Sequence, residues 1–176
     1  QENAQSLGRI LERCLKGGQG KFELVNNWDF YKDLKALDFL RDVGKHFRVS
    51  SMLSRDSVKS RMETSEGMSF TEFSYQIIQA HDFLQLFRTR SCILQVGGSD
   101  QWGNITAGID YIRKMTNEEA FGLTTPLITT SSGEKIGKSS GIGDAVWLSD
   151  QKTSVFDFYQ YFIRLSDVDA LRYLKI

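Results

Sequence analysis

In Leu94-Gln95-Val96-Gly97-Gly98-Ser99-Asp100-Gln101-Trp102-Gly103-Asn104, a compact apolar run (Ser91 to Val96) meets two glycines and a polar loop. The helical pattern of Ile105 to Met115 follows. A short apolar run closed by glycine predicts a buried strand ending in a turn. Strand, loop, helix and a further strand at Leu127 to Thr130 predict an α/β fold with a parallel sheet. Ligands in such sheets bind at the carboxyl ends of the strands. That rule selects two loops, Gly97 to Asn104 and Thr129 to Ser140, as candidate site loops. The first is longer and more specific than a tight turn requires. Its glycines let backbone approach a ligand closely. Asp100 suits paired ribose hydroxyls, and Gln101 suits a carboxylate or carbonyl.

Working toward the N-terminus, the strongest helical pattern runs from Ser69 to Arg88. Tyr75, Gln79 and Asp82 share one face at i, i+4 and i+7 spacing. Phe73, Ile77, Ala80, Leu84 and Phe87 form the opposite face. An amphipathic helix with its polar side in water accounts for the spacing. Two details point elsewhere: Ile78 and Leu86 flank the polar stripe, and no Lys or Glu lies on it. A phenol, an amide and a carboxylate suit a small zwitterion.

Upstream, a helix is expected over residues 4 to 16, ended by Gly17-Gly18-Gln19-Gly20. Phe22 to Val25 reads as a strand, Asn26-Asn27 as a turn, and Asp29 as a cap for the next segment. Leu34 to Phe47 and Asp56 to Glu63 read as helices. Downstream, Ser154 opens a helix to Arg164, and Asp167 caps another.

Toward the C-terminus, Gly133-Glu134-Lys135-Ile136-Gly137-Lys138-Ser139 almost spells a phosphate loop. Only three residues separate its glycines, and no helix follows to cradle phosphate, so the P-loop reading is rejected. Lys135 and Lys138 on a Gly/Ser-rich loop can still neutralise phosphate charge, although a solvated basic turn fits this segment alone equally well. His46 and His81 lack metal-type partners and read as structural. Ser/His/Asp catalysis has no support. Trp28, Trp102 and Trp147 read as packing residues.

Bulk properties narrow the class. A 40% hydrophobic content suffices for a core, and Lys+Arg and Asp+Glu balance at 22 each. That balance excludes a global basic field for nucleic acid. Cys14 and Cys92 are far apart and suit free thiols in a reducing compartment. No apolar run approaches the roughly 20 residues of a membrane span. Gln1-Glu2-Asn3 includes no initiator Met, so a piece of a longer protein is expected.

Three segments occur in order: Gly67-Met68-Ser69-Phe70-Thr71-Glu72-Phe73-Ser74-Tyr75, Gly98-Ser99-Asp100-Gln101-Trp102-Gly103-Asn104-Ile105 and Lys135-Ile136-Gly137-Lys138-Ser139. The combination resembles the tyrosyl-tRNA synthetases, a class I family. Phe39 to Phe47 and Lys152 to Gln160 fit it too. The resemblance implies the second half of a Rossmann-like catalytic domain over 1–148, with a dimer-interface insertion near 34–70. Residues 149–176 would then start the segment leading to an anticodon-binding region. It implies that Tyr75 and Gln79 hold the ammonium of L-tyrosine and that Asp82 binds its phenolic hydroxyl. Such a hydroxyl site rejects phenylalanine because its buried polar group is left unpaired, and this family is the standard illustration. Gln101 would lie near the substrate carboxyl and Asn27 would line the pocket. Asp100 would meet the ribose, Gly97 and Gly98 the adenylate, and Leu127 and Ile128 the adenine. Lys135, Lys138 and Ser139 would form the mobile lysine loop that stabilises pyrophosphate. ATP enters as a substrate with Mg²⁺, and no tightly bound cofactor or resident metal is implied.

Ile136, Gly137 and Val155 depart from the usual family residues without removing either lysine. The family's His-x-Gly-His motif does not occur in this sequence, which fits a fragment unable to activate tyrosine alone. tRNA(Tyr) is the implied partner, with a homodimer formed through the Phe70 region and no membrane. The extra residues in Glu63 to Gly67 suit a mitochondrial matrix enzyme, with bacterial cytoplasm as the alternative. A tryptophanyl relative is the nearest rival, but an indole offers Asp82 no hydroxyl. A non-catalytic RNA-binding module is the other, and the retained Asp100, Lys135 and Lys138 argue against it.

Overall fold

The computed structural model describes residues 2–15, 22–65, 67–129 and 146–175. They hold eight α-helices: α1 (Glu2–Leu15), α2 (Ala36–Asp42), α3 (Val49–Leu53), α4 (Asp56–Met62), α5 (Phe70–Arg90), α6 (Trp102–Thr116), α7 (Val155–Ile163) and α8 (Asp167–Tyr173). Two strands, β1 (Leu94–Gly98) and β2 (Phe121–Thr125), pair in parallel, Leu94 opposite Phe121 through Gly98 opposite Thr125. The α/β fold with a parallel sheet and flanking helices is the expected one. The chain divides into two compact units, 27–126 and a second made of 1–26 with 127–176.

The 27–126 unit is organised by α5 and α6. A capping box starts α5: Ser69 Oγ accepts from the Glu72 N–H, and Glu72 accepts from the Ser69 N–H at 2.9 Å. The expected apolar face of α5 turns inward, with Ala80 and Leu84 buried and Ile77 and Phe87 packed beside them. Phe83 is fully buried as well, next to Ala107, Tyr111 and Ile112 of α6. Gly108 lets the two helices meet closely, since a Cβ there would stand 2.9 Å from the Phe83 ring. Helix α6 is the crossover between the parallel strands. It packs on the face carrying Gly97 and Gly122, where a Cβ on either would press on Ile105. The other face carries Leu94, Val96, Phe121 and Leu123, all about half exposed.

In the second unit, Leu24 lies against Gly8 of α1. Ser154 caps α7, accepting from the Asp157 N–H. Arg172 and Tyr173 of α8 donate to Thr129, at 2.6 and 3.0 Å. The Lys152 ammonium sits 4.1 Å from the centre of the Trp147 ring.

Several expected elements fall elsewhere. Phe22–Val25 forms no strand; Leu24 is held by packing on α1. The second strand is Phe121–Thr125 instead of Leu127–Thr130, because Pro126 brings no N–H to continue the ladder. Leu127 and Ile128 therefore lie outside the strands, and Thr130 lies outside the described residues. β1 begins at Leu94 because Ser91, in the left-handed region at φ 53°, closes α5 first. The 34–47 stretch is broken after Asp42 into a short 3-10 turn, Gly44–His46. Ser166, not Asp167, caps α8, its hydroxyl accepting from the Asp169 N–H.

Candidate functional site

The inward part of the α5 polar stripe opens onto a cavity of about 350 Å³. Tyr75, Gln79 and Asp82 line it, with Asn27 from the turn before α2 and Gln101 from the turn after β1. Five residues predicted for one site thus share one cavity, although they span 75 positions of sequence (101 less 27, counted inclusively). Ile78, Leu86, Val96 and Ile105 give it apolar walls. Its volume and mixed lining suit a small molecule.

The polar groups lie at different depths. Tyr75 is 57% exposed, so its phenol stands at the mouth. Gln79 and Asp82 are half-buried. Gln79 Nε2 approaches Gln95 Oε1 at 3.5 Å, at the limit of a hydrogen bond. Gln101 Oε1 accepts from Asn104 Nδ2 at 3.2 Å. Gly97 eases the close approach beside it, since a Cβ there would come within 3.1 Å of the Gln101 Cβ.

Asp82 is the most constrained group. Asn27 Nδ2 donates to its Oδ2 at 2.7 Å, and the Tyr31 hydroxyl donates to its Oδ1 at 2.5 Å. The same hydroxyl lies 2.9 Å from the Ile78 carbonyl. Burial, then the bond to Asp82, then the Asp82 charge push the Tyr31 phenol far above its ordinary pKa. Tyr31 therefore stays a donor at any working pH. Its ring leans on Phe39 and His81, with centroids 6.3 and 5.6 Å away. His81, beside Asp82 in sequence, is buried, and burial holds its pKa below the ordinary value.

The residues expected to meet the nucleotide are described only in part. Gly97 and Gly98 end β1, and Asp100 lies exposed on the 3-10 turn Ser99–Gln101 next in the chain. Leu127 and Ile128 belong to the second unit. Lys135, Lys138 and Ser139 lie outside the described residues. Sequence reasoning missed Tyr31 and Gln95. Tyr31 follows Asn27 by one helical turn, which was the available signal; nothing local links it to Asp82.

The sequence model for tRNA synthetases class I (W and Y) matches residues 1–176. Among curated proteins, the chain is 49% identical over 174 residues to the tyrosine–tRNA ligase of Desulfosudis oleivorans, covering 99% of this chain and 40% of that protein. It is 54% identical over 171 residues to the corresponding ligase of Listeria welshimeri, covering 96% and 39%. Among solved structures, a C-terminally truncated mitochondrial tyrosyl-tRNA synthetase of Coccidioides posadasii superposes with a TM-score of 0.75 at 38% identity, covering 98% of this chain and 52% of that one. The chain therefore spans about two fifths of the relatives' length and half of the solved chain.

Proposed function

The chain belongs to the class I tRNA synthetases of the W and Y type, and on that premise we propose that the whole protein is a tyrosine–tRNA ligase. It activates L-tyrosine with ATP to tyrosyl-adenylate and transfers the amino acid to tRNA(Tyr). One observation carries the tyrosine half of this reading: Asp82, held at both oxygens, shares a small-molecule cavity with a phenol and amides. An ionised carboxylate only accepts hydrogen bonds, so it favours a ligand that brings it a donor, which the tyrosine hydroxyl supplies and phenylalanine lacks.

In this reading Tyr75 and Gln79 take the substrate ammonium, and Gln101 the carboxyl end. Asp100 takes the ribose, while the Gly97 and Gly98 backbone meets the adenylate. Leu127 and Ile128 meet adenine. The tyrosine carboxylate attacks the α-phosphate and pyrophosphate leaves, stabilised by Lys135 and Lys138 with Ser139 beside them. Mg²⁺ arrives with ATP as part of that substrate. Positioning and charge stabilisation suffice, without a covalent enzyme intermediate.

A homodimer is part of the proposal. Leu37, Leu40, Val49, Leu53 and Phe70 leave large apolar side chains in the open, as a subunit interface would. A mitochondrial matrix location is supported by the Glu63–Gly67 residues and by the mitochondrial source of the C. posadasii neighbour. Residues 149–176 would lead toward the anticodon-binding region.

The test is ATP–pyrophosphate exchange by the whole protein with tyrosine, phenylalanine and tryptophan. Tyrosine should be preferred, and Asp82→Ala should lower the tyrosine-to-phenylalanine ratio of kcat/KM by roughly 10- to 100-fold. An unchanged ratio overturns the assignment.

A further inference from the structure

We propose that Tyr31 is the positioning residue of the Asp82 carboxylate, and that it thereby sets how strictly the cavity demands a phenolic hydroxyl. The inference deepens the tyrosine-site reading and rests on it.

The geometry separates Tyr31 from the residues that would touch a ligand. Asn27 and Asp82 line the cavity, whereas Tyr31 does not and reaches the carboxylate from outside it. It takes Oδ1 while Asn27 takes Oδ2. An ionised carboxylate has about four acceptor positions, so two donors still leave room for an incoming hydroxyl. Tyr31 is itself anchored: its ring packs on Phe39 and His81, and His81 stacks toward Tyr111 of α6 at 6.5 Å. The acceptor is thus tied through the phenol to the aromatic core of the 27–126 unit.

Two effects of that tie oppose each other. A donor on Oδ1 partly satisfies Asp82 when a ligand without a hydroxyl binds, which would soften selection. The same donor also stops the side chain from following water, which would sharpen it. The second effect should win here. Asp82 is only half-buried, and the cavity mouth at Tyr75 is open, so an untied carboxylate has solvent within reach. A fixed acceptor cannot escape an unpaired state, and it meets the correct hydroxyl without first being ordered.

The experiment compares Tyr31→Phe with Asp82→Asn in the whole protein, by ATP–pyrophosphate exchange with tyrosine and with phenylalanine. Tyr31→Phe keeps the ring and its packing and removes only the donor. It should raise the KM for tyrosine about tenfold, with kcat changed less than about twofold, the size of one charge-assisted hydrogen bond. The kcat/KM for phenylalanine should hold or rise, which also shows that the variant is folded. An unchanged or larger tyrosine-to-phenylalanine ratio in Tyr31→Phe, beside a collapsed ratio in Asp82→Asn, overturns the role of Tyr31 and leaves the site reading standing. A ratio unchanged in both variants overturns the site reading and this inference with it.

Discussion

Arg55 faces Gln76 of α5: with the Gln76 amide turned so that its oxygen meets the guanidinium, that oxygen accepts from Arg55 Nε at 2.7 Å and from Nη2 at 3.2 Å. Arg55 stands just before α4, and its Nη1 also donates to the Gly103 carbonyl and to Thr106 Oγ1 of α6, the latter at 3.0 Å. One guanidinium therefore holds the start of α4, the middle of α5 and the start of α6. Gln76 is buried, so removing its partner strands an amide away from water. Arg55→Met keeps the apolar stem and removes the donors. It should cost about 1–3 kcal/mol of stability, read as a lower urea midpoint. A midpoint equal to wild type would show that water replaces the guanidinium without cost.

Gly108→Ala sets helix propensity against packing. Alanine favours a helix interior over glycine by about 1 kcal/mol. The added methyl would stand 2.9 Å from the Phe83 ring and 3.3 Å from its Cβ, in a fully buried contact. Overpacking of this kind costs about 1–3 kcal/mol. The net effect should be a loss of about 1 kcal/mol, seen as a lower Tm, whereas a rise would mean that the Phe83 ring yields freely.

His81 makes the fold acid-sensitive. Its ordinary pKa is 6.5, and burial lowers it in the folded protein, with the Asp82 charge opposing and Arg88 assisting. Above the ordinary value neither state holds the proton, and His81 contributes no pH dependence. Below it the unfolded chain binds a proton that the folded chain refuses, so stability falls as pH drops toward the folded-state pKa. His81→Phe should flatten the decline in urea midpoint between about pH 7 and 5. An unaltered slope would place the sensitivity in other groups.

Lys138→Ala tests the lysine loop. If that loop holds pyrophosphate only as the bond breaks, kcat for adenylate formation should fall by about 100-fold or more, with the KM for tyrosine little changed. Equal losses in both, measured by stopped-flow adenylate formation and tyrosine titration, would count against the role.

Much of this was legible in the sequence because it depends on short-range periodicity. The i, i+4, i+7 spacing of Tyr75, Gln79 and Asp82 fixes their common face, and the Gly97-Gly98 step marks the end of a strand. The misplaced strand at Leu127 had a local cause. Phe121-Gly122-Leu123-Thr124-Thr125 carries a glycine, which weakens a strand pattern in the sequence, yet it lies where Ile105 approaches the sheet. The Phe22–Val25 misreading arose because an extended apolar segment looks alike whether it pairs or packs on a helix. Tyr31 offered only its one-turn spacing from Asn27, and nothing local tied it to Asp82. Its partner lies 51 positions away, and only the folded course of the chain brings the two together.

The parallel pairing of β1 and β2 also constrains the order of folding. Neighbouring antiparallel strands can zip from a hairpin, but these two are joined only through the α6 crossover, so their pairing closes a long loop. Closing that loop costs chain entropy before the ladder repays it, so the two strands should join late, after α5 and α6 have packed.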